Sequence, residues 1–388
     1  MKDDKKYKRI IFIVSLLALL IRCLWLNGKS GDYLGFLQPW INQIIKLGGF
    51  KSLKYNIGDY NVPYVIILTI ISYFKNHLYL IKFVSIIFDY ICAIYSYKIV
   101  YKVTNNKIKS LITYSIILFL PTVIINGSMW GQCDSIYTSF ILISIYYLLD
   151  KKYIKSFIYL GIAFSFKLQT MFVIPLYILI LFRDKNIKWY YFLIIPLVNI
   201  ILCLPSILMG RNIIDVLSIY FNQTNTYKDL VLNYPNIYNI IGTNEVFSYK
   251  YMDIISKIGM LFTCFIYFII WLYVIVNKVK FNKEKILSIL LWSLMIATYF
   301  LPRMHERYMF VGDIVSVIWF MCYEKKYYIP MLINLISVIT YFKFLFEFDF
   351  INYNLIAIIY FIVIICSTKY ILEMLVRDKV INYCVKSG

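Results

Sequence analysis

Charged side chains are scarce in this sequence. Asp, Glu, Lys and Arg make up 15% of its 388 residues, where a soluble domain carries nearer a quarter. Hydrophobic residues fill 61%, more apolar surface than water covers, so lipid must cover it. The eight cysteines (Cys23, Cys92, Cys133, Cys203, Cys264, Cys322, Cys366, Cys384) form no CxxC or Cys/His spacing, so neither a disulfide framework nor a zinc site is supported. A signal-peptide cleavage site is missing as well. The basic N-terminus leads into an apolar run to Leu26, but Arg22, Cys23 and Trp25 stand where small residues would be needed. That run reads as a retained first span. P-loop and Rossmann glycine patterns are absent, which argues against a nucleotide-bound substrate.

The net charge of +20 raises nucleic acid as a partner, but the basic residues are not gathered into one patch. They recur as short clusters between apolar runs, as cytoplasmic loops do under the positive-inside rule. This places spans near 10–27, 78–101, 108–125, 135–149, 156–167, 170–182, 189–209, 253–276, 286–301, 309–323, 329–346 and 354–372, with both termini cytoplasmic. The run 62–74 is either a short span or a helix lying along the outer surface. If it crosses, Lys98, Lys102, Lys107 and Lys109 fall outside; if it lies flat, they fall inside with the other basic loops. On the flat threading 25 basic and 8 acidic residues fall inside, against 15 and 12 outside, and that asymmetry decides for it. The fold class is therefore all-α, with about twelve transmembrane helices and juxtamembrane helices on the outer surface. Several spans are shorter than the roughly 20 residues needed to cross a full core, which implies a thinned wall or a cavity.

The threading used basic residues and apolar length, so the acidic motifs test it independently. SGDY (30–33), IGDYNVPY (57–64), MWGQCDS (129–135), FKLQ (166–169) and LPRMHERYMF (301–310) all fall at one face. Each has a bland reading. Trp130 with Tyr137, or Tyr308 with Met309, suits an interfacial belt, Arg303 and Arg307 suit snorkelling, and Asp32 suits a helix stop. Together they resist it, because the hairpins at 126–135 and 166–170 carry Asn126, Gln132, Asp134, Lys167 and Gln169 between apolar runs. A charge at mid-membrane costs about 2.5–3.5 kcal/mol. Asp89, inside the second span, reads as structural, paired with Lys82 or a polar neighbour.

Asp32 and Asp59 flank an outer loop, 28–61, that also holds the amphipathic segment FLQPWINQIIKLGGF (36–50). A carboxylate beside a surface cleft suits general-base work on a hydroxyl, worth about 10²–10⁴ in rate. Lys167, Arg303, His305 and Arg307 supply cationic donors near the same level, and guanidinium groups match phosphate oxygens. A base with a phosphate clamp fits transfer from a lipid phosphate.

The ordered set of motifs resembles the GT-C glycosyltransferases that use polyprenyl-phosphate sugars, over roughly residues 28–310. GDY followed by DYNVPY is similar to the GDYEA and LDYPPL pair of the dolichyl-phosphate-glucose glucosyltransferases, and MHERY stands where that family has HEK. MWGQCDSIY resembles the bacterial mannosyltransferase-like proteins related to the GPI mannosyltransferase PIG-V. The resemblance implies a GT-C-type bundle and inverting hexosyl transfer, mannosyl or glucosyl, to a glycan or other acceptor on the extracytoplasmic face. It makes Asp32 the base, with Asp59 and Tyr60 supporting the acceptor loop and Trp130, Gln132 and Asp134 lining the sugar pocket. Lys167, Gln169, Arg303, His305 and Arg307 would bind the donor phosphate, with Glu306 beside them. No cofactor or metal is implied beyond the donor lipid, although Asp32 and Asp59 would suit a divalent ion if they converge. DYNVPY lacks the first proline of DYPPL and HER replaces HEK, and Arg for Lys changes phosphate geometry, so donor identity does not carry over.

Two other functions compete: a transporter or flippase for a lipid-linked substrate, and a non-catalytic envelope-assembly protein. A transporter would show polar residues at mid-membrane depth and repeated halves; no repeat is seen and the charges gather at one face. The chain divides into 1–209, a catalytic module, and 210–388, a second transmembrane module with an outer loop at 210–252. The Tyr- and Asn-rich stretch 220–247 shapes the acceptor site, and no separate soluble domain is expected.

Overall fold

The computed structural model describes residues 2–223, 229–242, 249–348 and 351–384. Parts of the 220–247 stretch, namely 224–228 and 243–247, and the last four residues of the C-terminus lie outside them. The structure is 79% helical with almost no strand, as the apolar runs demand, since a lipid-facing backbone must satisfy its own hydrogen bonds. Among the described residues, five helices are long and apolar enough to cross a membrane: His77–Thr104, Trp189–Leu208, Tyr251–Val276, Tyr328–Phe346 and Tyr353–Val376. The pair Lys107–Phe119 and Pro121–Trp130, bent by 49°, makes a sixth if it is one broken span. The break falls at Leu120, whose extended backbone is what a residue before proline prefers. Other apolar helices, such as Asp134–Leu149, Tyr153–Phe166 and Phe310–Tyr323, are shorter.

Two compact units result, and the chain enters each twice. The first holds Met1–Thr170 and Tyr190–Thr226; the second holds Met171–Trp189 and Tyr227–Gly388. A single cut at 209 does not separate them, because α9 (Ile174–Leu181) packs on the helices Tyr249–Val276 and Lys283–Phe300 of the second unit.

In the first unit, α1 (Lys2–Cys23) leads through turns to a helical segment that carries α2 (Gln38–Lys46). The amphipathic pattern of 36–50 holds. Leu37, Ile41 and Ile44 face a core shared with Tyr64, Val65, Leu68 and Ile71, while Phe36, Ile45 and Phe50 are exposed. Those partners lie on α3 (Val62–Ile71). Its ten residues rise about 15 Å, half of a hydrocarbon core. Asn61 caps it, accepting from Val62 N at 2.8 Å and donating to Asn199 Oδ1 at 2.9 Å and to the Tyr220 hydroxyl at 3.2 Å. Seven of its residues are buried, so α3 is enclosed by protein rather than laid as an amphipathic strip with one wet side.

α4 (His77–Thr104) inverts the usual distribution. Lys82, Ser85, Asp89, Cys92 and Ser96 are buried, while Phe83, Ile87 and Ile94 are exposed. The spacing of 3, 4, 3 and 4 gathers the polar groups on one helix face; α4 packs on α5 (Lys107–Phe119), on α7 (Asp134–Leu149) and on the π-turn that continues the short α6 (Pro121–Ile124). Asp89 is not paired with Lys82. Its Oδ2 accepts from Arg22 Nε at 3.0 Å with both side chains fully buried, and Arg22 Nη1 also donates to Ala18 O at 3.1 Å and Leu118 O at 2.9 Å. The first helix is thereby bolted to the second span. Between α7 and α8 (Tyr153–Phe166), Ser144 and Ser156 exchange hydroxyl-to-carbonyl bonds at 2.6 and 2.8 Å, and small serines allow that close approach. α10 (Ile194–Leu208) packs on α8 and leads to α11 (Ile213–Leu217) and α12 (Ile219–Gln223).

The second unit is built on α15 (Lys283–Phe300), buried from Leu287 to Phe300. Around it stand α14 (Tyr249–Val276), α16 (Phe310–Tyr323) and α18 (Tyr353–Cys384), with α17 (Tyr328–Phe346) behind α16. Polar rings fix the register. Trp319 Nε1 donates to Ser288 Oγ, and Trp292 Nε1 to Thr368 Oγ1, each at 2.8 Å. The short helix α13 (Ile237–Ile241) seats Tyr238 against Gly259, where a Cβ would lie 1.8 Å from the phenol oxygen. The strands β1 (Val231–Leu232) and β2 (Met304–His305) pair in parallel.

The buried pair generates a stability prediction. Arg22→Ala leaves a carboxylate in an apolar interior and lowers stability by about 3–5 kcal/mol, whereas Arg22→Met with Asp89→Leu, which removes both charges, recovers most of it. Thermal unfolding of the detergent-solubilised variants measures both; equal losses in the single and double variants would show that the pairing is not what matters.

Candidate functional site

Asp32 opens the helical segment that becomes a π-turn over Tyr33–Leu37 and then α2. A second π-turn, Ile125–Trp130, closes on Gly131 at φ +78°. π-turns are rare and collect at functional positions, and these two bring their side chains to each other. Asp32 Oδ2 accepts from Trp130 Nε1 at 3.0 Å and from Gln132 Nε2 at 2.5 Å. Ser30 supports both sides: its hydroxyl donates to Trp130 O at 2.8 Å and accepts from Tyr33 N at 3.2 Å. Two neutral donors on one oxygen fix the orientation of the carboxylate. Burial pushes the neighbouring Tyr33 phenol upward, so it remains a neutral hydroxyl.

Gln132 is the hub. Its Oε1 accepts from the Tyr60 hydroxyl at 3.3 Å, and its carbonyl accepts from Ser85 Oγ at 2.6 Å. Ser85 O in turn accepts from Ser135 Oγ at 3.0 Å. The GDY of 58–60 and the WGQ of 130–132 therefore meet at one amide. Asp59 itself is exposed, and its backbone carbonyl accepts from Gln223 Nε2. Gly58 makes the turn possible: its φ is +65°, and a Cβ there would lie 2.5 Å from Trp40 Cε2.

Asp134 and Lys167 find each other. Lys167 Nζ forms an ion pair with Asp134 Oδ1, with the carboxylate fully buried, and Asn126 Nδ2 donates to Asp134 Oδ2 at 2.9 Å. The ammonium also stands 5.5 Å from the Tyr137 ring centroid. Both charges are thus compensated where they lie, and Lys167 meets a carboxylate of its own unit. Burial first, then Cys133 and Asp134, hold the Tyr64 phenol well above its ordinary range. Gln169 is half-buried.

In the second unit, residues 301–309 form a tight turn. Arg303 sits at φ +64°, a conformation non-glycine residues rarely take, and its N–H donates to Leu230 O at 2.8 Å. The β1–β2 ladder and the bond from Tyr234 N to Met304 O at 3.3 Å complete the clamp. Glu306 is fully buried between neighbours: Arg307 Nη1 lies 3.0 Å from its Oε1 and His305 Nδ1 3.9 Å from its Oε2. Arg303 Nη2 lies 3.3 Å from Asp253 Oδ1, and the His305 and Tyr308 rings are 5.1 Å apart. Burial, then Tyr360 and Asp313, raise the Tyr234 phenol well above its usual value.

Sequence reasoning missed several participants. Ser30 and Ser85 carried no signal of their own. The inward stripe 82, 85, 89, 92, 96 was readable as a polar face of helical period. Lys82 sits on it, and its ammonium donates to Trp25 O at 2.8 Å, Leu26 O at 3.2 Å and Gly28 O at 2.5 Å, holding the chain just ahead of Asp32. Asp313, buried in α16 with Ser337 Oγ donating to its Oδ1 at 2.7 Å, gave the same signal as Asp89: a lone carboxylate in an apolar run. Among the described residues no three His, Cys, Asp or Glu side chains gather as a metal site requires.

No protein-family model matches the chain, and no curated protein matches it.

The turn at Gly58 is directly testable. Gly58→Ala places a side chain in a left-handed backbone and against Trp40, and is expected to cost more than about 1 kcal/mol. Hydrogen exchange over 55–64 reports it; unchanged protection would mean that Trp40 yields without cost.

Proposed function

We propose that this protein is an integral membrane glycosyltransferase that moves a hexose from a polyprenyl-phosphate donor to an acceptor hydroxyl. The observation that carries this reading is the Asp32 carboxylate held at Oδ2 by Trp130 Nε1 and Gln132 Nε2, with Tyr60 on the same glutamine. A carboxylate fixed in orientation suits a general base. In the reaction, Asp32 takes the proton of the acceptor hydroxyl as its oxygen attacks the anomeric carbon. The bond from that carbon to the phosphate oxygen breaks with inversion, and the polyprenyl phosphate leaves with the electron pair. In the second unit, Arg303, His305 and Arg307 are the groups that the resemblance gives to the donor phosphate, whose charge grows in such a transfer. Trp130 and Gln132 would line the sugar pocket. Asp134 and Lys167, joined to each other, would shape its wall as a neutral unit.

The same reading carries the finer topology: twelve crossings, both termini cytoplasmic, and the motif-bearing loops outside the plasma membrane. It is supported by the charge asymmetry of the loops and by helices over all twelve expected segments. One observation favours the competing transporter reading, namely the buried Arg22–Asp89 pair, since charges deep in a bundle also mark transport paths.

Asp32→Asn separates the two. Transfer from polyprenyl-phosphate hexoses by the purified protein should fall at least about 10²-fold with donor binding kept, whereas retained transfer would remove Asp32 from the chemistry. Single cysteines placed at 29 and 228 of a cysteine-free variant should react with an impermeant maleimide on intact cells, and one at 152 should not. The reverse pattern would overturn the threading.

A further inference from the structure

Phe36, Trp40 and Tyr60 form a continuous row of rings beside the Asp32 carboxylate. The Phe36 and Trp40 centroids are 5.9 Å apart, those of Trp40 and Tyr60 5.8 Å, and those of Tyr60 and Tyr64 4.7 Å. Tyr64 closes the row in the core at 3% exposure, while Phe36 is 45% exposed at the other end. Trp40 and Tyr60 are half-buried between them, packed against the core from below. Gly58 runs against the Trp40 indole so closely that no side chain fits there. The row is therefore backed by the core, open at Phe36 and half-open at Trp40 and Tyr60.

Interfacial belt aromatics would give a bland account of such rings. This row differs in what it joins. The Tyr60 hydroxyl bonds Gln132 Oε1, and the same amide bonds Asp32 through its nitrogen, so the ring surface is connected to the carboxylate by two hydrogen bonds. Asp59, exposed next to Tyr60, adds a carboxylate of the kind that accepts from vicinal hydroxyls. Faces of aromatic rings are electron-rich and receive the weakly positive C–H groups on one side of a pyranose, while an acidic neighbour takes the hydroxyls at its edge.

We infer that the Phe36–Trp40–Tyr60 row is an acceptor subsite that stacks a pyranose ring, so that the acceptor is a glycan rather than a protein or a simple lipid alcohol. This rests on the transfer reading for its catalytic meaning, but the binding does not. The sugar is held by its apolar face on Trp40 and Phe36, and its hydroxyl edge is turned toward Asp59 and Tyr60. Stacking selects for ring hydrogens on one face and tolerates different hydroxyl patterns, so it fixes the class of acceptor and leaves the linkage to other contacts.

Saturation-transfer NMR on the full-length detergent-solubilised protein tests binding without turnover. The probes are the methyl glycosides of glucose, mannose, galactose and N-acetylglucosamine, with maltose and α-1,2-mannobiose. Wild type should transfer saturation to at least one probe, most strongly to ring C–H protons of a single face. Phe36→Ala, at an exposed position that leaves the core intact, and Trp40→Leu should weaken it about tenfold, the scale of one lost ring contact; Asp32→Asn should leave it unchanged. No transfer to any probe, or equal transfer in wild type and both row variants, overturns the inference and leaves the transferase reading standing. Normal sugar binding with undiminished transfer by Asp32→Asn would do the opposite.

Discussion

Every polar group buried in this chain must find its partner inside the protein, because lipid offers none. That constraint organises the first unit. α4 turns its lysine, serines, cysteine and aspartate inward, where Lys82 meets the carbonyls after α1, Ser85 the carbonyl of Gln132, Asp89 the guanidinium of Arg22 and Cys92 the carbonyl of Ser135, while Ser96 bonds back to its own helix. The hairpin 126–135 is held on one side by Asp89 and Ser85 and on the other by Asp134 with Lys167. Trp130 and Gln132 project from that braced hairpin, and Asp32 is oriented by them. Remove the compensation in the interior, and the carboxylate at the surface loses its frame.

The second unit solves a related problem with backbone. The turn 301–309 carries two arginines, a histidine and a glutamate within five residues, and such a turn would not hold a fixed shape by side-chain pairing alone. A two-residue parallel ladder, a left-handed Arg303 and a bond to Leu230 fix its path, so that Glu306 is buried between the groups it neutralises.

Much of this was legible in the sequence, and the rest was hidden for physical reasons. All twelve apolar segments are helical, since runs of that length in lipid have few alternatives, but their capacity to cross a bilayer is another matter: five or six have the length and apolarity. The amphipathic face of 36–50 is readable because period 3.6 survives in a helix with one face on the core and one exposed. The meeting of Asp32, Trp130, Gln132 and Tyr60 was foreshadowed by grouping the motifs, yet their hydrogen-bond order was not, because it depends on two π-turns that no residue pattern announces. Charge partners were the weakest inference. Lys82 stands seven residues before Asp89 on the same helix face and was a natural candidate, but its ammonium reaches toward α1's end while Arg22 arrives from a different helix. The resemblance gives Lys167 to the donor phosphate and Asp134, 33 residues away, to the sugar pocket. Sequence distance conceals such pairs.

The grip of Lys82 on the carbonyls of Trp25, Leu26 and Gly28 has a mechanical side. A single helix that enters a bilayer can slide or tilt to match the thickness it meets. Here the chain just after α1 is pinned to α4 by three bonds, and the last turn of α1 by Arg22. The depth of Asp32 is therefore set by the protein's own frame, and a thicker or thinner bilayer would deform around the frame without drawing that carboxylate up or down.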